Sequence, residues 1–192
     1  MPLKLNSSGG GSVTLDVPST ASDFTATVPA NTGTLVTTGS TAAVTQGMLA
    51  SGVAGNGPAF SAHLGSNQSL SNNVFTKLNI NVEAFDTNNC YNTSLYRFTP
   101  NVAGYYFVTG TMTCINSVYV VVYIYKNGNL LKEGVQGAAI NAPYRTNVSG
   151  LIYMNGTTDF LELYGLQAGG SSFDALAGAG PTFFDAFMAR AA

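Results

Sequence analysis

The sequence predicts an all-β fold: an antiparallel jelly-roll sandwich of about ten short strands, preceded by a small N-terminal β segment. Three observations predict it. From residue 58 to residue 192, strand signals recur roughly every ten residues between Gly, Pro and Asn punctuation. Only 8% of the residues are charged while 45% are hydrophobic, and Gly, Ser, Thr and Asn are plentiful, which favours strands joined by turns over helices. The third is residues 98–128, FTPNVAGYYFVTGTMTCINSVYVVVYIYKNG, which hold two strong strand signals. Tyr105, Tyr106, Phe107 and Val108 suit a pleated, buried surface. Residues 118–125 are an unbroken apolar run closed by Lys126-Asn127-Gly128, and Asn-Gly is the strongest short hairpin signal.

Alternation places Val118, Val120, Val122 and Ile124 on one face of that strand and Tyr119, Val121, Tyr123 and Tyr125 on the other. A strand apolar on both faces needs cover on both. In an antiparallel sandwich one face meets the opposing sheet and the other normally meets water. A covered Tyr face therefore predicts a second copy of the chain, and an oligomer.

Residues 1–40 differ in character from the rest. They hold a single aromatic, Phe24, whereas all 10 tyrosines lie beyond residue 90. After a flexible Ser-Gly stretch at 7–12, short alternating strands are expected at 13–17, 24–28 and 33–39, each ended by Pro or Gly. Their apolar residues, among them Val13, Leu15, Val17, Phe24, Val28 and Leu35, are too few for an independent core. The segment is expected to fold against a partner or intertwined with copies of itself; the alternative is a disordered leader. Residues 41–57 read as a connector, either a plain linker or a short helix over 42–50 capped by Ser40 or Thr41, with Gly52, Gly55 and Gly57 marking its end.

Residues 58–192 form the main domain. Strands are expected at 60–64, at 74–82 with Lys77, Asn79 and Asn81 outward, at 95–99, 105–113, 118–125, 130–134 and 147–154. Two more follow, at 158–166 with Asp159 and Glu162 exposed, and at 182–189. Turns are expected at 86–89 and at Asn155-Gly156.

Two resemblances follow from these residues. The run GGGSVTLDVPSTASDFTATVPANTGTLVTTGS resembles a short module of tailed-bacteriophage virion proteins, fibres and head decorations among them, where it adjoins an attachment segment. The later landmarks resemble the globular head of complement and tumour-necrosis-factor-like proteins. These are Phe60-Ser61-Ala62, Phe98-Thr99-Pro100 before Gly104-Tyr105-Tyr106-Phe107, Lys126-Asn127-Gly128, the 151–156 strand and turn, and the closing Phe184-Asp185-Ala186-Phe187-Met188. This second resemblance covers about 135 residues. It implies a ten-stranded jelly roll in a tight homotrimer with aromatic residues along the three-fold axis, for which Tyr105, Tyr119, Val121, Tyr123, Tyr125 and Phe187 are the candidates. No Gly-X-Y repeat is present, so the animal family's function is not carried over.

Catalytic chemistry is poorly supported, and the chain is not expected to be an enzyme. His63 is the single histidine and lies in an alternating strand. No nucleophile elbow, phosphate loop or dinucleotide fingerprint occurs. Residues 86–89 open like a calcium loop, but Tyr91 and Arg97 stand where its glycine and closing glutamate belong, so a plain turn is expected. Cys90, Cys114 and one histidine are too few for a structural zinc site, and no cofactor or metal is expected. The two cysteines read as unpaired thiols of a protein made in a reducing cytosol, since no apolar leader of a signal peptide is seen. With a formal net charge of -2 no basic patch collects phosphate, and no apolar run is long enough to span a membrane as a helix.

What remains is recognition. Tyr91, Tyr144 and Phe173, on loops rich in small polar residues, are candidates for binding a host-surface glycan or protein. The expected protein is a virion component made in the host cytoplasm: a homotrimeric capsid decoration or head fibre whose N-terminus docks on the major capsid protein and whose knob projects. A short tail fibre or tip docking on a tail protein and binding a host receptor is the alternative, and a free lectin-like trimer the third. At 192 residues no shaft is expected, which favours the capsid.

Overall fold

The computed structural model describes residues 3–6, 8–15, 57–116, 119–137 and 142–192. The chain divides into two compact units, Met1–Ser40 and Thr41–Ala192.

In the first unit, β1 (Leu3–Asn6) and β2 (Ser12–Leu15) pair antiparallel, with Leu3 opposite Leu15 and Asn6 opposite Ser12. Residues 8–11 of the stretch expected to be flexible thus lie in the turn of a hairpin, and Gly10, at φ 84°, supplies the left-handed residue that turn needs. Val13 and Leu15 lie on β2. Val17, Phe24, Val28 and Leu35, the strands expected at 24–28 and 33–39, and the connector at 41–56 lie outside the described residues.

The second unit is a sandwich of two antiparallel sheets. One runs, in spatial order, β11 (Asn129–Glu133), β10 (Val120–Lys126), β13 (Leu161–Gln167), β8 (Arg97–Phe98) and β7 (Tyr91–Asn92), with β5 (Thr76–Lys77) also against β13. The other runs β4 (Gln68–Leu70), β14 (Phe173–Ala175), β9 (Gly104–Cys114), β15 (Phe183–Ala191), β3 (Ala59–Leu64) and β6 (Ile80–Asp86), with β12 (Tyr144–Met154) paired to β9 along its whole length. The all-β jelly roll is as expected, with thirteen strands among the described residues of this unit. Three of the additions, β4, β7 and β14, are too short to show a period.

The clean alternation at 74–82 does not make one strand. Leu78 and Ile80 are both fully buried, and the Ile80 N–H donates to the Leu78 carbonyl across two residues, the bond of a γ-turn. The chain turns there and leaves one sheet for the other. The hairpin at Lys126-Asn127-Gly128 is as expected. Lys126 pairs with Asn129, and Asn127 and Gly128 sit at φ 53° and 77°, the two left-handed residues of the turn that matches strand twist.

Between the sheets lies one aromatic core. Phe60 stacks on Tyr91 at 4.5 Å and on Phe98 at 4.6 Å, and meets Phe184 edge-on at 5.2 Å. Val120, Val122 and Ile124 point into it, as alternation requires. Asp159 and Glu162, expected to be exposed, are buried. Each is bound to a lysine, Asp159 to Lys126 at 2.8 Å and Glu162 to Lys77, which is how buried carboxylates are normally tolerated. Cys90 and Cys114 are free and buried.

Candidate interaction surfaces

The Tyr face of β10 is covered from within the chain. Val121 is fully buried and Tyr123 is 3% exposed. Phe75 lays its ring edge against Tyr123 at 5.1 Å and lies 6.5 Å from Tyr125, while Tyr125 stacks on Tyr164 at 4.0 Å. Burial, with the Tyr119 hydroxyl after it, pushes the Tyr123 phenol above its ordinary pKa. The cover that sequence reasoning took from a second copy is supplied here in cis, so Val121 and Tyr123 are core residues of a single protomer. Tyr119 and Tyr125 are half-buried.

The outer face of the other sheet is different. Along β9, Tyr106, Val108 and Met112 point into the core, which turns Tyr105, Phe107, Thr109 and Thr111 outward. Register carries that outward set across the sheet. Leu151 of β12 lies opposite Phe107, which lies opposite Phe187 of β15; Tyr153 lies opposite Tyr105. The rings touch, Phe107–Phe187 at 5.7 Å and Tyr105–Tyr153 at 5.5 Å. All five are large and exposed: Tyr105 41%, Phe107 39%, Leu151 60%, Tyr153 44% and Phe187 51%. Contiguous apolar area of this kind on a folded surface marks an interaction site.

Asp185 sits within this face, between Thr109 of β9 and Ser61 of β3. Burial raises its carboxyl above the usual range, against a hydrogen bond with Ser61, and its Oδ1 is buried without a partner among the described residues. A buried acceptor left unmatched in one chain is the kind of group an interface satisfies.

Of the expected interface residues, then, Tyr105 and Phe187 lie on the exposed face and the β10 residues do not. Phe107, Leu151, Tyr153 and Asp185 were missed. The signal was present: residues 105–108, 151–154 and, Asp185 apart, 183–188 are also apolar on both parities, as the 118–125 run is.

The expected receptor residues are not brought together. Tyr91 is 6% exposed and its hydroxyl donates to the Ile80 carbonyl at 2.8 Å, so it is a core residue and not a loop side chain. Tyr144 and Phe173 are half-buried, packed on the core, and sit on strands that converge at Cys114, with Tyr144 and Ala175 both paired to it. In the 86–89 turn the Asp86 carboxylate accepts the N–H groups of Asn88 at 3.2 Å and Tyr91 at 2.6 Å, so it serves its own backbone. Among the described residues no three His, Cys, Asp or Glu side chains are grouped to hold a metal, and no helix is long and apolar enough to cross a membrane.

No family model and no curated protein sequence matches the chain. Solved structures do. The Eiger TNF of S. frugiperda aligns with a TM-score of 0.56 at 11% identity, over 70% of this chain and 95% of its own. Murine APRIL aligns with a TM-score of 0.53 at 9% identity, over 68% and 98%. The PRD1 vertex protein P5 aligns with a TM-score of 0.51 at 16% identity, over 68% and 72%. The knob has the tumour-necrosis-factor-like jelly-roll fold. At these identities the likeness is one of fold alone.

Proposed function

We propose that the chain is a virion structural protein, a homotrimeric capsid decoration or head fibre whose residues 1–40 dock on the shell and whose jelly roll projects from it. The observation that carries the reading is the exposed Tyr105, Phe107, Leu151, Tyr153 and Phe187 face, continuous over three neighbouring strands. A knob with so few charges needs that face covered, and in a three-fold ring each copy's face is covered by its neighbour. The fold shared with the PRD1 vertex protein P5 supports a place on a virion. The phage-like sequence at residues 9–40 supports attachment through the N-terminus.

The test is binding of the purified full-length protein to capsids stripped of it, imaged by electron microscopy. Density at three-fold or quasi-three-fold positions, lost when residues 1–40 are deleted from a still trimeric protein, is the expected result. Density confined to the tail makes the short tail fibre the correct reading and refutes decoration.

A further inference from the structure

A second surface lies at the opposite sheet. A cleft of about 310 Å³ opens where β7 and β8 meet the turn before them, lined by Asn89, Cys90, Tyr91, Asn92, Arg97 and Thr99. That is near the lower end of the volumes that hold small ligands, and suits a single sugar ring. Its lining is amide, hydroxyl and guanidinium. The Cys90 thiol stays neutral, because burial raises it above its ordinary pKa.

Arg97 carries the one positive charge in this lining. Across the sheet it pairs with Glu162, whose carboxylate is already bound to Lys77, and Asp86 is engaged by the backbone of Asn88 and Tyr91. Arg97 itself has no acidic partner among the described residues. Its guanidinium carbon lies 4.7 Å from the Phe160 ring centroid, a cation–π contact that anchors the side chain beside the cleft without using up its N–H donors.

The walls are held in place before any ligand arrives. Asn92 Oδ1 accepts the N–H groups of Ser94 at 2.9 Å and Leu95 at 2.7 Å, and the Thr99 N–H donates to the Cys90 carbonyl at 2.7 Å. Asn89 and Tyr96 sit at φ 53° and 52°. A tyrosine in the left-handed region is strained, and such strain gathers at ligand sites. Pre-set walls lower the ordering cost of binding.

We propose that this cleft binds a carboxylate-bearing sugar unit of a glycan, with Arg97 gripping the carboxylate and Asn89, Asn92 and Thr99 the hydroxyls. One guanidinium fork matches the two oxygens of one carboxylate. A neutral sugar leaves the guanidinium without a counter-charge. The proposal stands on the cleft alone and is independent of where the protein sits on a virion.

The test is saturation-transfer difference NMR on the full-length protein with sodium glucuronate and with glucose, which differ only in the carboxylate. Transfer to glucuronate and at least about tenfold weaker binding of glucose are expected, because a charge-assisted bidentate contact is worth that much. Arg97→Gln is expected to abolish the glucuronate signal and Arg97→Lys to weaken it. Asn89→Gly, which keeps a residue at ease at positive φ while removing the amide, is also expected to weaken it. Oligomer mass and melting temperature check each variant's fold; should Arg97→Gln fail to fold, Asn89→Gly and Thr99→Val carry the test. Equal binding of glucose, no transfer to either sugar, or a signal unchanged in the variants overturns the proposal.

Discussion

Phe187→Asp separates folding from assembly. In one protomer Phe187 is 51% exposed, so about half its ring surface is held by the sheet and about half is offered outward. Taking about 200 Å² for a fully buried phenylalanine, the offered part is about 100 Å². At about 25 cal/mol per Å² an interface that covers it gains about 2.5 kcal/mol per protomer, and about 7.5 kcal/mol over three. Losing this lowers the trimer association constant about 10⁵-fold, before the cost of burying three carboxylates beside Phe107 is counted. The fold of each protomer loses little, since the core rings Phe60, Phe98 and Phe184 lie on the other side of the sheet. Light scattering is therefore expected to give a folded species at the 19.9 kDa protomer mass in place of one near 60 kDa, with near-native circular dichroism. A Phe187→Asp protein that stays trimeric at micromolar concentration refutes the use of this face.

Three further outcomes follow from burial. Tyr123→Asp is expected to unfold the protomer or cost it about 3–5 kcal/mol in urea titration, since the site is 3% exposed beneath Phe75; a folded monomer would mean that β10 is an interface after all. Asp185→Asn is expected to raise stability at neutral pH and flatten its pH dependence. Because the folded carboxyl is raised above 3.8, Asp185 favours the fold fully at pH values below that and loses this contribution as pH rises through its elevated value, so a variant with the native pH profile contradicts the assignment. Cys90 and Cys114 are buried, and Cys114 is pushed by that burial to a pKa of about 11; their reaction with a thiol reagent at neutral pH is expected to be slow until denaturant is added, and fast labelling of the native protein would contradict their placement.

Much of the fold was legible because it is written in local chemistry. Asn127-Gly128 could only be a tight hairpin, and the β-branched and aromatic period-2 runs could only be strands in a layered sandwich. Two-residue strands such as β7 carry no period, and the turn at Leu78–Ile80 hides inside an alternating run because burial on both sides of a sheet crossing preserves the alternation. The ion pairs of Asp159 and Glu162 were invisible for another reason: their lysines lie 33 and 85 residues away in the chain. Sequence determined that several strands are apolar on both faces, because alternation is local. Which of those faces is satisfied within the chain was decided by tertiary structure alone. The residues around Phe75 fold over Tyr123, and nothing among the described residues folds over Phe107 and Phe187. That difference is a matter of long-range packing, and it moves the candidate interface from one sheet to the other.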